Sequence, residues 1–278
     1  MPLPSASTIV TYPQGALAST GTVLHVEPLA DGRTAVVLDT TAFHAVDTAW
    51  PDQGADHGTL AGLEVVDAIV GATDGSTLYI GTDVPVRKGT EGWAFVVVHL
   101  LASFDGAEGD TVEVNVDAGY REALSTGHTA CHLASLALNH ALAGAWTKDV
   151  ATDAAGHPNF DALAIESSTI LPNGSRDVYR VGKSLRKKGF NPAALDEVRR
   201  VESAANERLA ELLGSAASIS IEADGPRLDD RRSWVCGSYR IPCGGTHRSS
   251  TSDLTATITL LRSEGEGAIT LVMETTAN

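Results

Sequence analysis

The sequence has few aromatic residues, few cysteines and no long apolar segment. Aromatics make up 5% of the 278 residues, and three cysteines, an odd number, do not suggest the disulfide framework of a small secreted domain. The apolar run "GWAFVVVHLLASF" is shorter than the about 18 residues of a membrane span, so it predicts a buried strand instead. The opening "MPLPSASTIVTYPQG" lacks the basic and apolar regions of a signal peptide. We therefore expect a cytoplasmic protein that does not enter a membrane and whose thiols are free to bind metal.

The charge of the chain is strongly acidic but unevenly distributed. A formal net charge of −15 argues against a general nucleic-acid binder. The stretch "RDVYRVGKSLRKK" at 176–188 nevertheless holds six of the 20 basic residues and a single acid. A run of this kind is usually a solvated surface loop. The alternative is a local phosphate-binding patch on an otherwise acidic protein.

Short strand-like segments occupy the chain up to about residue 117. The segments "GTVLHVEPL" and "RTAVVLDTTAF" flank the hairpin signal "ADGR", and more strand candidates follow at short intervals. Because short strands at such spacing are typical of small closed sheets, the sequence predicts an N-terminal antiparallel β-barrel domain over residues 1–117.

Residues 118–278 mix helical and strand-like segments. Helical spacing of apolar residues marks "HTACHLASLALNHALAGAW" and "NPAALDEVRRVESAANERLAELLG". In the second segment Asn191 is placed to cap the helix, Pro192 lies in its first turn and Gly214 just past its end. Strand candidates lie between and after the helices, which favours an α+β fold over a βαβ series. The sequence contains no Rossmann fingerprint and no P-loop.

Two pairs of potential metal ligands stand out in this second half. In "HTACH", His128 and His132 are four residues apart, so on a helix both imidazoles share one face. In "CGGTH", a Gly-Gly turn brings Cys243 and His247 to the same side. One cysteine and three histidines make a plausible tetrahedral zinc set. The alternative is a closed zinc site that only stabilises the fold. His140, on the same helix, is interpreted as a histidine that does not bind the metal.

The two motifs together resemble the editing domain of alanyl-tRNA synthetase and its free-standing relatives, the AlaX proteins. In that family H-x-x-x-H and C-x-x-x-H supply the zinc ligands, which match His128, His132, Cys243 and His247. The resemblance covers nearly the whole chain and includes Asn206 in the helix between the motifs. It implies a small β-barrel followed by a two-layer α/β zinc-binding editing domain, here 118–278. With no synthetase domain preceding it, the chain is expected to act in trans as an aminoacyl-tRNA deacylase.

The sequence also departs from the family pattern. The glycine-rich stretch of longer AlaX proteins corresponds to "WPDQGADHG", which keeps Gln53 but replaces glycines by Trp50 and Pro51. Thr41 matches a family threonine, whereas Cys131 stands where threonine is frequent. The family default substrates are Ser-tRNA(Ala) and Gly-tRNA(Ala). The altered pocket instead favours another small or threonine-like amino acid, and fluorothreonyl-tRNA is the concrete example.

Roles for the remaining candidates follow from these motifs. Zinc could polarise the ester carbonyl, lower the pKa of a water or orient the substrate through its amino group; we favour the orienting role. The substrate-binding candidates are Thr41, Gln53 and Thr246, and the catalytic candidates are Thr129, Cys131 and Asp253. The alternatives are packing roles for Thr129, Cys131 and Thr246, a barrel-turn role for Gln53, and a turn role or a bond to a metal ligand for Asp253. The residues expected to bind the tRNA acceptor end are Arg180, Lys183, Arg186, Lys187 and Lys188.

Two other function classes stay open at this point. One is a zinc hydrolase of a small free ester or amide, and the other is a non-catalytic zinc-stabilised tRNA-binding module. The expected assembly is a monomer or homodimer. Cys236, seven residues before Cys243 in a strand-like segment, is expected to be an ordinary buried thiol.

Overall fold

A computed structural model describes residues 3–265 and 267–278. The helices are α1 (Ala118–Ala141), α2 (Phe160–Ala164), α3 (Lys183–Lys187) and α4 (Val198–Gly214). The strands are β1 (Ile9–Val10), β2 (Ala18–Pro28), β3 (Thr34–Leu38), β4 (Thr40–Thr41), β5 (Gly58–Leu60), β6 (Leu63–Glu64), β7 (Asp67–Thr73), β8 (Leu78–Ile80), β9 (Ala94–Leu101), β10 (Thr111–Val116), β11 (Ile165–Leu171), β12 (Gly174–Val181), β13 (Ile219–Ala223), β14 (Arg232–Cys236), β15 (Tyr239–Pro242), β16 (Ala256–Gly265) and β17 (Ala268–Ala277). Among these residues, no helix combines the length and apolarity needed to cross a membrane.

The chain divides into two compact units. The first consists of Met1–Arg121, Ile221–Ser233 and Pro242–Thr246, and the second of Glu122–Ser220, Trp234–Ile241 and His247–Asn278. The fold is mixed, broadly α+β, as the order of sequence patterns predicts. The closed barrel, the two-layer editing domain and the boundary after residue 117 stay predictions.

The first unit is built around a curled antiparallel sheet of eight strands. The strand order is β6-β5-β10-β2-β3-β9-β7-β8, and the predicted hairpin of β2 and β3 is confirmed. A register shift between Val23 and His25 interrupts the pairing of β2 with β3. Irregularities of this kind increase twist and help a sheet to curl.

Strand β9 is the buried strand that the run "AFVVVHLL" predicts. Alternate side chains enter two different apolar clusters, with Phe95 and Val97 in one and Val96 and Val98 in the other. Because apolar side chains cover both faces of the strand, all eight positions are buried. The sequence of β9 therefore does not alternate between apolar and polar residues.

The second unit contains a four-stranded antiparallel sheet in the order β11-β12-β17-β16. Helix α4 covers the outer edge of β16, where the Asn206 carboxamide donates to the Ile258 carbonyl and accepts from its N–H, both at 2.8 Å. Glu202 Oε2 also accepts the Leu260 N–H at 2.6 Å. These bonds satisfy backbone groups that an unpaired edge strand would expose.

Two local predictions need correction. The predicted single helix from Asn191 is a 3-10 helix, Pro192–Leu195, followed by α4. Asn191 does cap the first of these, accepting the Ala193 N–H at 3.2 Å. Of the two alternatives for residues 176–188, the loop is wrong in its secondary structure, because the segment forms most of β12 and the whole of α3, although its basic side chains are exposed. Apolar anchoring by the buried Leu185 explains why this basic segment is ordered as a helix.

Candidate metal centre

The structure brings the four predicted ligands together. One donor atom from each of His128, His132, Cys243 and His247 lies within 4.8 Å of the others, so the group could hold a metal ion. The ring centroids of His128 and His132 are 4.8 Å apart, and that of His247 lies 4.2 Å from His128. The ligand set predicted from the two motifs is therefore confirmed as a cluster, and it is compatible with zinc.

Helix α1 positions the first pair of ligands. It begins after Asp117, whose carboxylate accepts the Tyr120 N–H at 3.0 Å and so satisfies a backbone donor of the first turn. Gly127 lets the helix approach the β11–β12 turn, since a Cβ there would overlap the carbonyl oxygens of Leu171 and Gly174. The position of His128 thus depends on a close approach that its neighbour allows.

The loop that carries Cys243 is fixed by the first unit. The Cys243 N–H donates to the Arg232 carbonyl at 3.2 Å, and the Tyr12 hydroxyl donates to the Gly244 carbonyl at 3.0 Å. Burial raises the pKa of Tyr12 to about 12, so this hydroxyl stays a neutral donor. The Gly245 N–H points to Cys243 Sγ at 3.5 Å, an interaction that stabilises a thiolate.

The electrostatics of the cluster fit a metal. Burial, reinforced by the neighbouring His128, holds the pKa of His132 well below its ordinary value, so its imidazole is neutral, as a ligand must be. Its Nε2 is buried and has no hydrogen-bond partner among the described residues. Burial raises the pKa of Cys243 to about 12, so without metal the thiol keeps its proton, which a bound ion would displace. A divalent ion could accept the lone pair of this neutral imidazole and so give the buried Nε2 of His132 a partner.

Thr129, a catalytic candidate, lies beside a ligand. Its buried hydroxyl oxygen is 3.4 Å from His247 Nδ1 and accepts the Arg248 N–H at 3.0 Å. Arg248 is itself held by Glu122 through an ion pair of 2.6 Å. If Nδ1 donates to Thr129, Nε2 of His247 is the nitrogen left for a metal. The geometry therefore fits an orienting role for Thr129.

Cys131, the second catalytic candidate, lies outside the ligand cluster. Its thiol donates to the buried carboxylate of Asp177 on β12, at 3.6 and 3.7 Å from the two oxygens. Ser168 and Ser175 donate to the same carboxylate at 2.6 and 2.9 Å. The thiol thus belongs to a polar network that joins α1 to the sheet of the second unit.

Asp253, the third catalytic candidate, is an exposed turn residue. Its backbone lies in the left-handed region at φ 63°, which aspartate tolerates better than most residues. The turn interpretation made from the sequence explains this residue.

The three substrate-binding candidates, Thr41, Gln53 and Thr246, all belong to the first unit and are buried. Thr41 donates its hydroxyl to His99 Nε2 at 2.9 Å and accepts the Phe43 N–H at 3.2 Å. His99 can accept because its Nδ1 faces the Val36 carbonyl, and burial lowers its pKa to about 4. The Gln53 carboxamide is bonded to Thr246, the third candidate.

The residues expected to bind tRNA are exposed around α3. Lys183, Arg186, Lys187 and Lys188 are exposed in or next to this helix, and Arg180 is exposed on β12. Arg180 is 3.7 Å from Glu166, a half-exposed pair that solvent screens.

Two residues that contact the ligands or their loop, and one that binds the candidate Cys131, carried no recognisable signal in the sequence. Trp234, which is fully buried on β14, places its ring centroid 5.0 Å from that of His132 and walls one side of the histidines. Tyr12 binds the Gly244 carbonyl of the ligand loop, and Asp177 accepts the Cys131 thiol, so both partners lie far away along the chain. Cys236 is buried, as predicted.

The chain was also compared with known proteins. Neither the models of protein families nor the curated proteins contain a match to it. The residues and geometry of the metal centre therefore carry the functional conclusion.

Proposed function

We propose that the protein is a zinc-dependent aminoacyl-tRNA deacylase of AlaX type, which hydrolyses the ester of a misacylated tRNA in trans. The observation that carries the proposal is the convergence of an H-x-x-x-H and a C-x-x-x-H motif on one four-ligand cluster. These are the two motifs in which the sequence resembles the editing domains. A bound zinc ion would hold the four ligand side chains in place and so shape the pocket for the aminoacyl end of the substrate.

The chain's own residues would prepare the site for such a substrate. Thr129 orients the His247 ring, and Trp234 shields the histidines from water on one side. Four protein ligands would fill the coordination shell of a tetrahedral ion, so the zinc would position the substrate indirectly, by building the pocket. Water activation would then fall to the hydroxyl of the terminal ribose of the tRNA, next to the ester.

The metal is tested by elemental analysis of the protein purified without added metal. We expect one zinc per chain. Cys243→Ala should lose it, whereas the matched control Cys236→Ala should retain it because that thiol lies outside the ligand cluster. Loss of zinc in the Cys236 variant alone would overturn the ligand assignment.

The reaction is tested by a deacylation screen over tRNAs that carry Ser, Gly, Ala, Thr and threonine analogues. Release of the amino acid that stops on removal of zinc and returns on its restoration supports the proposal. A protein that retains zinc and binds tRNA without any turnover would instead be a zinc-stabilised binding module. The full set of four ligands is the observation that favours this second function.

The preferred amino acid is proposed to be threonine-like or fluorinated rather than serine. Trp50 and Pro51 replace glycines of the family and restrict the backbone of this stretch, although both side chains are exposed. Threonine is frequent in the family at position 131, and the Cys131 thiol is a weaker hydrogen-bonding group than a threonine hydroxyl. Because this thiol donates to Asp177 of β12, it would affect the pocket only through the placement of α1. Comparing kcat/KM for seryl-, threonyl- and fluorothreonyl-tRNA decides the point, and a clear preference for seryl-tRNA(Ala) would refute it.

The exposed basic segment around α3 is proposed to hold the tRNA backbone. Replacing Arg186, Lys187 and Lys188 by Ala should raise KM for charged tRNA and flatten its dependence on salt, because phosphate contacts release counterions. The control replaces the exposed Arg199 and Arg200 of α4, which pair with Glu202 of the same helix and with Glu197 just before it. Equal KM values for both variants at every salt concentration would exclude the segment from tRNA binding.

A further inference from the structure

We infer that Gln53 is a positioning residue for the metal-binding loop 243–247, and that it does not contact the substrate directly. The inference rests on the metal site of the proposed function and assigns Gln53 a different role from the substrate contact that the sequence pattern suggests. Gln53 reaches this loop from a segment 193 residues earlier in the chain.

Both ends of the Gln53 carboxamide bind one residue. Nε2 donates to the Thr246 hydroxyl at 2.9 Å, and Oε1 accepts the Thr246 N–H at 3.0 Å. The two bonds together fix the position and the orientation of Thr246. Gln53 is 2% exposed and Thr246 3%, so both bonds are shielded from competing water. A buried amide used in this way is poorly placed to meet a substrate as well.

The position of Thr246 explains why this clamp matters for the metal. Thr246 directly precedes His247, and Gly244 and Gly245 separate it from Cys243. Two adjacent glycines leave the backbone between the two ligands with unusual freedom, which would have to be lost whenever metal binds. Fixing Thr246 removes part of that freedom in advance.

Gln53 is itself held by an ordered segment. Three residues later, Asp56 forms a buried ion pair with Arg121 and accepts the His44 N–H. The His44 ring also bonds the Gly54 carbonyl at 3.2 Å. The side chain that clamps the loop therefore projects from a rigid base, as support of a metal ligand requires.

The test measures metal binding separately from activity. Purified full-length protein is titrated with Zn²⁺ against a chromophoric chelator, and with Co²⁺ while the thiolate-to-metal charge-transfer band of Cys243 is recorded. Gln53→Met, which keeps the volume but removes both bonds, should weaken Zn²⁺ affinity by about 10–100-fold and alter the cobalt spectrum. Thr246→Val should act in the same direction, and Thr246→Ser, which keeps both contacts, should resemble the wild type.

A double variant and kinetics complete the design. Combining Gln53→Met with Thr246→Val should weaken Zn²⁺ affinity by less than the product of the two single effects, because both changes remove the same contact.

A Gln53→Met protein that binds Zn²⁺ as tightly as the wild type but has a raised KM for aminoacyl-tRNA would overturn the inference and make Gln53 a substrate contact. A wild type that binds no metal would overturn the inference together with the metal site. A wild type that binds metal but cleaves no aminoacyl-tRNA would refute the proposed reaction alone, and the affinities would still decide the role of Gln53.

Discussion

The buried ion pair of Asp56 and Arg121 supports the segment that carries Gln53, and its removal should destabilise the protein strongly. Arg121 Nε donates to Asp56 Oδ1 at 2.7 Å, Nη2 binds the second carboxylate oxygen, and Nη2 also reaches the Ala42 carbonyl at 2.9 Å. Side-chain exposure is 6% for Arg121 and 0% for Asp56. The proposed perturbation is Arg121→Met, which keeps the aliphatic volume and deletes the charge.

The magnitude follows from what remains after the change. Asp56 would keep its bond from the His44 N–H but would be a buried carboxylate without a counter-charge. Removing one partner of a buried pair costs about 3–5 kcal/mol. The matched control is Arg176→Met, since Arg176 and Glu274 are 3.7 Å apart and about half exposed. Such a surface pair is worth only about 0–1 kcal/mol.

Urea unfolding at neutral pH, followed by circular dichroism, measures both variants. A second change, Asp56→Asn in the Arg121→Met background, should recover part of the loss because it removes the uncompensated charge while an oxygen still accepts the His44 N–H. An Arg121→Met protein within about 1 kcal/mol of the wild type would refute the reasoning, since it would mean that the carboxylate is hydrated or easily neutralised.

Three further changes probe other buried contacts. Thr41→Val should cost about 1–3 kcal/mol in unfolding free energy, because it leaves His99 Nε2 without a donor, whereas Thr41→Ser should not; a rise in KM without loss of stability would instead support a substrate role. Gly127→Ala should cost about 1–3 kcal/mol in thermal or urea unfolding by pushing α1 off the β11–β12 turn, and an unchanged midpoint would contradict that contact. Burial raises the pKa of Asp161 to about 6 from 3.8 even though the Tyr179 hydroxyl donates to it at 2.8 Å. The folded protein therefore keeps this proton longer than the unfolded chain, so its stability should fall as pH rises from about 4 to 6. Asp161→Asn should remove this slope and should be at least as stable as the wild type at pH 7; an unchanged slope would exclude this carboxyl as its source.

The sequence by itself determined the chemistry of the candidate site. Helical spacing of His128 and His132 and the short turn from Cys243 to His247 are local properties, so the ligand types and their pairing were readable from the residues alone. The same holds for the mixed α+β class and for β9, whose apolar run is long enough for a strand and too short for a membrane helix. Patterns of this kind depend on neighbours within one element.

Only the tertiary structure decided which groups support those ligands. Gln53 and Thr246 are 193 residues apart, and Tyr12 and Gly244 are 232 apart, so no periodicity along the chain relates them. Cys131 could be located in a helix from the sequence, but its pairing with Asp177 depends on which strand that helix covers. A hydrogen bond needs both partners placed to within a few tenths of an ångström, and that placement is fixed by packing over the whole fold. The metal ligands could therefore be predicted from the sequence. The residues that hold them in place could be identified only from contacts between segments that are distant along the chain.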